Sequence, residues 1–267
     1  SVKKIEVENS QAKRVITDTE KIYVCDIVVS NCDPVRVYRD MIDSKHRSKH
    51  SDLRLGLKTH SMSLFVAYFG TKKTYPHLAH HTILLGPRYH GLLNDIFSKK
   101  VLANDFSLYL HAPTRTDSTL APEGHECFYV LSPVHNKEGK VNLSEEQEKY
   151  KEKIYKWLES HQLPDLAENL TVDFSVTPDY FEQVLQSEKG AAFGIEPSFR
   201  QSAYFRFHNK SEDIRGLYFV GANTHPGAGV PGVLNSAKVL EKMVPNSKNV
   251  SFSGVDLSPK ESDLDIS

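Results

Sequence analysis

A glycine-rich turn late in the chain has the spacing of a ligand-binding motif. Within GLYFVGANTHPGAGVPGVL (residues 216–234), the run Gly227-Ala-Gly-Val-Pro-Gly232 matches G-x-G-x-x-G, which places a dinucleotide's pyrophosphate at a helix N-terminus. Such a site also needs its first glycine at a strand end, a parallel strand after the helix, and an acidic residue about twenty positions later. Here the strand predicted over 216–220 ends well before Gly227, and only a polar segment follows the helix predicted over 230–244. The match therefore gives little support to ADP binding.

The same residues favour a different ligand. Glycines at 227, 229 and 232 let the backbone approach a flat or bulky molecule, and Pro231 near the first helical turn costs no hydrogen bond. The unpaired N–H groups of a helix N-terminus carry about half a positive charge. The turn therefore predicts a site for an anion, or for a group that becomes anionic during a reaction.

Several histidines have spacings that could serve a metal or proton transfer. His77, His80 and His81 could ligate zinc, but no nearby cysteine or carboxylate completes a tetrahedral set, so we expect no metal site. His225 lies in the glycine-rich turn, where it could donate to a ligand or assist proton transfer. Shaping the loop is the favoured role for His225.

A second group of ionisable residues lies just upstream of the turn. Glu196, Arg206 and His208 could form an ion pair at a site wall. Glu196 would act as a general base only if burial raised its pKa, which a sequence cannot show. Structural pairing is therefore the expected role.

The elements that must position these residues begin with short strands. Residues 2–7 and 13–17 predict a hairpin, and the apolar run 22–29 predicts one buried strand. Asp33 followed by Pro34 has the cap-then-first-turn order that starts a helix, expected over 34–46.

The middle of the chain predicts a mostly antiparallel sheet with helices. Ser144-Glu-Glu-Gln147 matches a capping box, and the helix after it places apolar side chains on one face. Those side chains are Tyr150, Ile154, Trp157 and Leu158. Aromatic and β-branched residues mark the strands, and a short helix is expected over 179–185. The expected strands cover residues 63–69, 81–85, 106–111, 127–133 and 170–176.

Composition excludes some classes of function. Thirty-three basic and thirty-four acidic residues give a formal charge of -1, so net charge does not recruit nucleic acid or an anionic membrane. Three cysteines with no C-x-x-C pair indicate reduced thiols. No apolar run reaches eighteen residues, and the start at Ser1 without a signal segment suggests a piece of a longer protein.

Four segments together resemble the bacterial phytoene desaturases, FAD-dependent enzymes of carotenoid synthesis in the amine-oxidase-like superfamily. The resemblance runs from about residue 2 to 244 and implies the C-terminal half of such an enzyme. The segments are IVVSNCDPVRVYRDMI (27–42), LAHHTILLGPRY (78–89), DFSLYLHAPTRTDSTLAPEG (105–124) and GLYFVGANTHPGAGVPGVLNSAK (216–238).

The resemblance implies an α/β (α+β) fold with two parts. One is part of an FAD-binding, Rossmann-like domain, and the other is a mostly antiparallel substrate domain with helices. Residues 1–46 and 211–245 are assigned to the first part and 47–210 to the second. Residues 246–267 are expected to form a disordered tail.

Cofactor contacts are also implied by the resemblance. Val2 corresponds to a strand near the adenine, and residues 30–33 to the return of the chain into the FAD domain. The set implied to close over the flavin comprises Gly221, Ala222, Gly229, Val230, Pro231 and Gly232.

This sequence departs from the family pattern in three ways. Asn223 stands where glycine is common, and Phe207 where proline is common. The half that carries the true dinucleotide fingerprint does not occur in these residues. Because that half anchors the pyrophosphate, we expect this chain alone to bind FAD poorly and not to turn over.

The implied reaction removes hydrogen from adjacent carbons of a long polyisoprenoid, leaving a conjugated double bond and requiring no protein nucleophile. The aromatic strands at 63–69 and 106–110 are candidate tunnel walls, although core packing is the favoured role for each side chain. The expected location is cytoplasmic and peripheral at the cell membrane. Alternatives are a related carotenoid isomerase, a flavin amine oxidase, or a non-catalytic lipid-binding fragment.

Overall fold

A computed structural model describes residues 1–103 and 105–245. The tail expected over 246–267 therefore lies outside the described residues. The described chain has two hydrophobic clusters, one around a five-stranded sheet and one around the first helix and a pair of parallel strands. All three cysteines are free thiols. None of the helices in the described ranges has the length and apolar character needed to cross a bilayer.

The predicted hairpin is present at the start of the chain. Strand β1 (Val2–Glu8) pairs antiparallel with β2 (Gln11–Thr17). The two residues between them, Asn9 and Ser10, both have positive φ, the conformation that closes two-residue hairpins. Ile5 and Ala12 are buried and pack the hairpin against the second hydrophobic cluster.

The single buried strand predicted over 22–29 is wrong. The segment forms two short strands in different sheets: β3 (Ile22–Val24) extends the hairpin sheet, and β4 (Val28–Ser30) pairs elsewhere. All three residues of β3 are exposed. Apolar composition did not reveal this break because Cys25 and Asp26 redirect the chain between the sheets.

Helix α1 (Pro34–Met41) begins where the sequence predicts. The Asp33 carboxylate accepts a hydrogen bond from the Val35 N–H at 3.0 Å, and Pro34 occupies the first turn. The helix ends before the predicted residue 46, because Ile42 is extended. A separate 3₁₀ turn covers Ser44–His46.

Strand β10 (Leu217–Phe219) lies parallel to β4, with Leu217 opposite Val28 and Phe219 opposite Ser30. Parallel pairing of strands so distant in sequence is typical of α/β domains. Helix α7 (Val230–Glu241) follows β10 after the glycine-rich turn. The turn therefore joins the end of a parallel strand to a helix N-terminus.

The middle of the chain forms the antiparallel sheet that the sequence predicts. Its order is β6-β7-β8-β5-β9, and every neighbouring pair is antiparallel. The strands are β5 (Ser63–Thr71), β6 (His81–Leu84), β7 (Leu108–His111), β8 (Glu126–Val134) and β9 (Leu170–Val176).

Helix α4 (Gln147–His161) covers one face of this sheet with the predicted side chains. Tyr150, Ile154 and Leu158 are buried in the first cluster, and Trp157 packs beside them. The capping box is wrong, because no side chain caps the helix and the Ser144 hydroxyl lies 2.8 Å from that of Thr177.

Four shorter helices complete the fold: α2 (Asp52–Gly56), α3 (Tyr89–Asn94), α5 (Leu166–Asn169) and α6 (Pro178–Gln183). The mixed α/β class with an antiparallel sheet is confirmed. The domain boundaries stay predictions. Leu55, Ile195 and Phe207, which they assign to the substrate domain, pack in the second cluster.

Candidate functional site

A serine hydroxyl in α7 accepts a hydrogen bond that holds the start of the glycine-rich turn. Gly221, two residues after the end of β10, has φ of 103° and donates its N–H to Ser236 Oγ at 2.8 Å. Ser236 lies inside α7 and donates in turn to the Val233 carbonyl at 2.6 Å. The strand end and the first turns of the helix therefore form one unit.

A buried asparagine braces the same turn from the other side. The Asn209 amide nitrogen lies 3.2 Å from the Phe219 carbonyl and 2.9 Å from the His225 carbonyl. It also lies 3.3 Å from the Thr224 hydroxyl, which bonds the Gly221 carbonyl at 3.1 Å. These contacts make the loop a defined structure. They involve the backbone carbonyl of His225, and the role of its side chain stays a prediction.

A buried guanidinium lies beneath the turn. Arg206 donates to the Ala222 carbonyl at 2.6 Å and to the Phe193 carbonyl at 3.3 Å, and burial lowers its pKa. Its Nε has no partner, and a side chain at Gly227 would lie 3.7 Å from that atom. The predicted ion pair is wrong, since no salt bridge within 1–103 and 105–245 joins Glu196 to Arg206 or His208. The positive charge instead faces the turn.

The N-terminus of α7 is open to a ligand. Its cap residue is Gly229, no side chain caps it, and Val230 is 75% exposed. A Cβ at Gly229 would meet nothing within 4 Å, whereas one at Gly232 would lie 2.6 Å from the Gly227 carbonyl. Gly232 is therefore needed for close approach of helix and loop, while Gly229 leaves free space. These residues fit a flat group that has an apolar surface and one electron-rich edge.

The structure brings together six of the seven predicted cofactor residues. Gly221, Ala222 and residues 229–232 all belong to this turn and the helix start. Val2 lies at the far end of β1, and no hydrogen bond within the described ranges joins it to the turn. The cofactor role of all seven stays a prediction.

The two substitutions among the three departures from the family pattern, Asn223 and Phe207, have structural accounts. Asn223 packs over Gly194, and a Cβ at position 194 would overlap the side-chain amide of Asn223. The asparagine at 223 therefore fits because residue 194 has no side chain. Phe207 is buried against Tyr38 and accepts a hydrogen bond from the His225 N–H at 3.0 Å. Neither residue displaces the turn from its bracing contacts.

The face of the five-stranded sheet opposite α4 carries a second candidate surface, here called the open face. Because directly paired residues of antiparallel strands share a face, the registers define two rows across all five strands. The first row consists of His81, His111, Tyr129, Tyr68 and Phe174, and the second of Ile83, Tyr109, Leu131, Val66 and Val176. Neither row contains Asp, Glu, Lys or Arg.

Several of these side chains are exposed although they are large and apolar. Phe174 is 58% exposed and stacks on Tyr68 with ring centroids 4.8 Å apart. Tyr68 in turn lies 5.7 Å from the Tyr129 ring. A groove of about 470 Å³ runs over these rings and reaches His111. An apolar groove of this kind fits a ligand that has few polar groups.

The predicted tunnel strands contribute to this face only in part. Phe65, Phe69 and Leu108 point into the core, in agreement with the favoured core-packing role. Tyr68 and Tyr109 lie on the open face. Sequence reasoning did not single out Tyr129 and Phe174, because only the pairing registers show which faces they share.

A third surface, here called the basic groove, has a volume of about 480 Å³ and combines cations with exposed apolar groups. It shares Tyr204, His208 and Glu212 with a neighbouring apolar groove that reaches His225 in the turn. Its cationic residues are the buried Arg206 and, nearer the surface, Lys49, Arg54, Lys58 and Arg200, and its exposed apolar residues are Leu57, Tyr204 and Phe205. Phe199, 88% exposed, lies 6.4 Å from the Phe205 ring.

Comparisons with known proteins cover most of the chain. No family model matches the chain. It is 46% identical over 226 residues to a neurosporene-forming phytoene desaturase of Rhodobacter capsulatus, covering 83% of this chain and 43% of the relative. It is 42% identical over 238 residues to a lycopene-forming phytoene desaturase of Pantoea ananas, covering 89% and 48%. The chain thus spans about half the length of the curated relatives it matches.

A solved structure agrees on the fold. An oxidoreductase from Methanosarcina mazei superposes with a TM-score of 0.53 at 20% identity, covering 91% of this chain and 48% of that one. At this identity the likeness concerns the fold alone. The identity to the curated relatives runs through most of the chain, and by it the chain belongs to the phytoene desaturase family.

Proposed function

We propose that this chain is part of an FAD-dependent desaturase that acts on a long polyisoprenoid, with phytoene as the substrate to test first. In this proposal the five-stranded sheet contacts the substrate, and the glycine-rich turn closes over the flavin. The open face carries this proposal. A hydrocarbon offers no hydrogen-bonding group, so its recognition depends on buried apolar area, at about 25 cal/mol per Å². Two rows without a carboxylate, lysine or arginine across five strands match that requirement.

The same observation distinguishes this function from oxidation of an amine. A cationic amine substrate would need a carboxylate, or aromatic ring faces directed at its charge, because burying an unpaired charge costs several kcal/mol. The two rows of the open face contain no carboxylate, and the rings of Tyr68 and Phe174 stack on each other, with centroids 4.8 Å apart, instead of enclosing a charge. The relatives' names, both phytoene desaturases, support the same choice.

In the proposal, the glycine-rich turn holds the flavin ring. The chemistry supplied by bound FAD is acceptance of a hydride from one substrate carbon. The N–H groups at the start of α7 and the buried Arg206 charge favour negative charge on the adjacent edge of the ring. Ser236 and Asn209 keep those groups in place through their bonds to the turn.

The activity test uses a protein of the relatives' full length that carries this chain, assayed with phytoene by the appearance of polyene absorption bands. Phe174→Asp places a charge on the open face and is expected to raise KM at least about tenfold, since burying the carboxylate is costly. Thr19→Asp, in the exposed loop after β2, is the matched control. Absence of polyene bands in the unmodified protein, or equal KM values for both variants, would contradict the proposal.

The cofactor test compares two glycines. Gly232→Ala brings a Cβ to 2.6 Å from the Gly227 carbonyl, whereas Gly56→Ala meets nothing within 4 Å. Flavin content of the purified full-length protein is expected to fall for the first variant and not for the second. The 267-residue chain alone is expected to retain little FAD; stoichiometric flavin on it would show that the pyrophosphate anchor is not required.

We propose further that the basic groove docks on the anionic surface of the cytoplasmic membrane, where a polyisoprenoid is dissolved. Besides the buried Arg206, four cations and one acid, Glu212, line the groove, and this excess of positive charge complements anionic headgroups. The exposed rings beside them can enter the interface. Its connection to the apolar groove at His225 gives a route from the membrane towards the turn.

Cosedimentation with vesicles tests this placement. Full-length protein is expected to bind vesicles that contain phosphatidylglycerol, and Arg200→Gln to weaken binding about fivefold, from about 1 kcal/mol per basic residue. Lys149→Gln on the exposed side of α4 is the control. Equal binding to neutral vesicles, or equal loss in both variants, would contradict this placement.

A further inference from the structure

Three histidines converge at one end of the open face. His81 and His111 are directly paired in β6 and β7, so both side chains leave the same face, and His80 precedes β6. The ring centroids lie 4.3 Å apart for His80 and His81, 4.7 Å for His80 and His111, and 5.2 Å for His81 and His111. One ring nitrogen from each residue lies within 4.8 Å of the other two.

The hydrogen bonds of these rings leave nitrogens directed towards one another. His80 Nε2 lies 2.8 Å from His111 Nε2, while the other nitrogen of His80 contacts the Thr116 hydroxyl. His81 Nδ1 lies 2.6 Å from the Tyr109 hydroxyl. An outer oxygen partner of this kind fixes the ring of a metal-bound histidine.

We propose that His80, His81 and His111 form a binding site for a first-row divalent transition ion, with Zn²⁺ as the reference ligand. Three imidazoles and a water complete the tetrahedral set that Zn²⁺ prefers. At a Zn–N distance of about 2.0–2.1 Å, neighbouring tetrahedral nitrogens lie about 3.3 Å apart. The His80–His111 pair therefore has to open by only about half an ångström. The exposed His81 supplies the remaining movement by side-chain rotation.

The bound ion would link the edge strand β6, through His81, to β7, through His111. It would also hold His80, the residue before β6. His80 already holds that segment beside β7, because its carbonyl accepts the Ala112 N–H at 2.9 Å. The sequence-based expectation of no metal site grouped His77 with His80 and His81. In the structure His77 Nε2 lies 2.8 Å from the Gln162 carbonyl, and the third histidine of the cluster is His111, 31 positions beyond His80. The site does not depend on the flavin or on the hydrocarbon substrate.

Zn²⁺ titration of the full 267-residue chain, freed of metal by a chelator, tests the site by calorimetry. We expect one Zn²⁺ per chain and a thermal unfolding midpoint that rises with zinc concentration. Tyr109→Phe removes only an outer partner and is expected to weaken binding roughly 10–100-fold, with a larger loss for His111→Ala. His90→Ala removes an exposed histidine outside the cluster and is expected to change nothing.

Cobalt gives a second readout that a general loss of stability would not reproduce. Co²⁺ is expected to give the visible absorption of a tetrahedral site in the unmodified chain and in His90→Ala, but not in His111→Ala. Should His111→Ala fail to fold, His81→Gln at the exposed ligand makes the same comparison. Equal zinc affinity in His111→Ala and the unmodified chain, or several weak sites that no variant changes, would identify an adventitious ion only and overturn the proposal.

Discussion

The two faces of the five-stranded sheet are built from similar residues but have different surroundings. On the face under α4, Phe65 is fully buried and meets the Tyr150 ring edge-on at 5.1 Å. On the open face, Phe174 stacks on Tyr68 and stays 58% exposed. An apolar side chain under a helix contributes to folding, whereas one left exposed in a groove is available to a ligand. Hydrophobicity alone therefore does not separate core from binding surface.

Truncating Phe65 is expected to have the largest effect. Phe65→Ala leaves a cavity in the first cluster and should lower the free energy of unfolding by about 3–5 kcal/mol. Denaturant unfolding measures this value. A loss below about 1 kcal/mol would mean that the covered face is not the core of the sheet.

Acid should destabilise the fold through a buried histidine just before β5. His60 is buried, neither ring nitrogen has a partner, and burial lowers its pKa to about 4. Since the unfolded chain takes up this proton near pH 6.5, stability falls as pH drops from about 6.5 to 4, by about 3 kcal/mol in total.

His60→Asn should therefore make unfolding less dependent on pH over that range, as followed by urea unfolding at several pH values. His90→Asn, at an exposed site, should keep the original dependence. The same slope in His60→Asn as in the unmodified chain would rule out His60 as its source.

Removing a buried hydroxyl should have an intermediate effect. Tyr150→Phe leaves the Ser132 hydroxyl, 2.8 Å away and buried, without its partner, at a cost of about 1–2 kcal/mol. Adding Ser132→Ala should restore part of the loss, because no polar group is then left unpaired. A double variant less stable than Tyr150→Phe alone would contradict this account.

The smallest effect is expected on the open face. Phe174→Ala should change the free energy of unfolding by about 1 kcal/mol or less, because the ring is exposed and loses mainly its stacking on Tyr68. The same substitution should weaken binding of a hydrophobic fluorescent probe to the folded chain. A stability loss equal to that of Phe65→Ala would remove the distinction between the faces.

Local patterns predicted the elements whose causes are local. The hairpin, the start of α1 at Asp33 and Pro34, and the apolar face of α4 all depend on residues within a few positions of one another. The capping box failed because Ser144 finds a partner in Thr177, 33 positions away.

The residues of the candidate site could be predicted only in part from the sequence. The glycine-rich turn is contiguous, so its residues could be named from the sequence. The Arg206 charge beneath it, the rows of the open face and the third histidine require pairing between distant segments. Those contacts form only when the strands align, and no spacing along the chain encodes them.

The parallel pair of β4 and β10 has a practical consequence. Within residues 1–103 and 105–245, β4 pairs with β10 alone, so no strand lies along its other edge. An unpaired edge favours aggregation, because an extended peptide from another molecule can form backbone hydrogen bonds with it. Preparations of this chain should accordingly form concentration-dependent aggregates, and a short β-strand peptide designed to cap that edge should keep them monomeric.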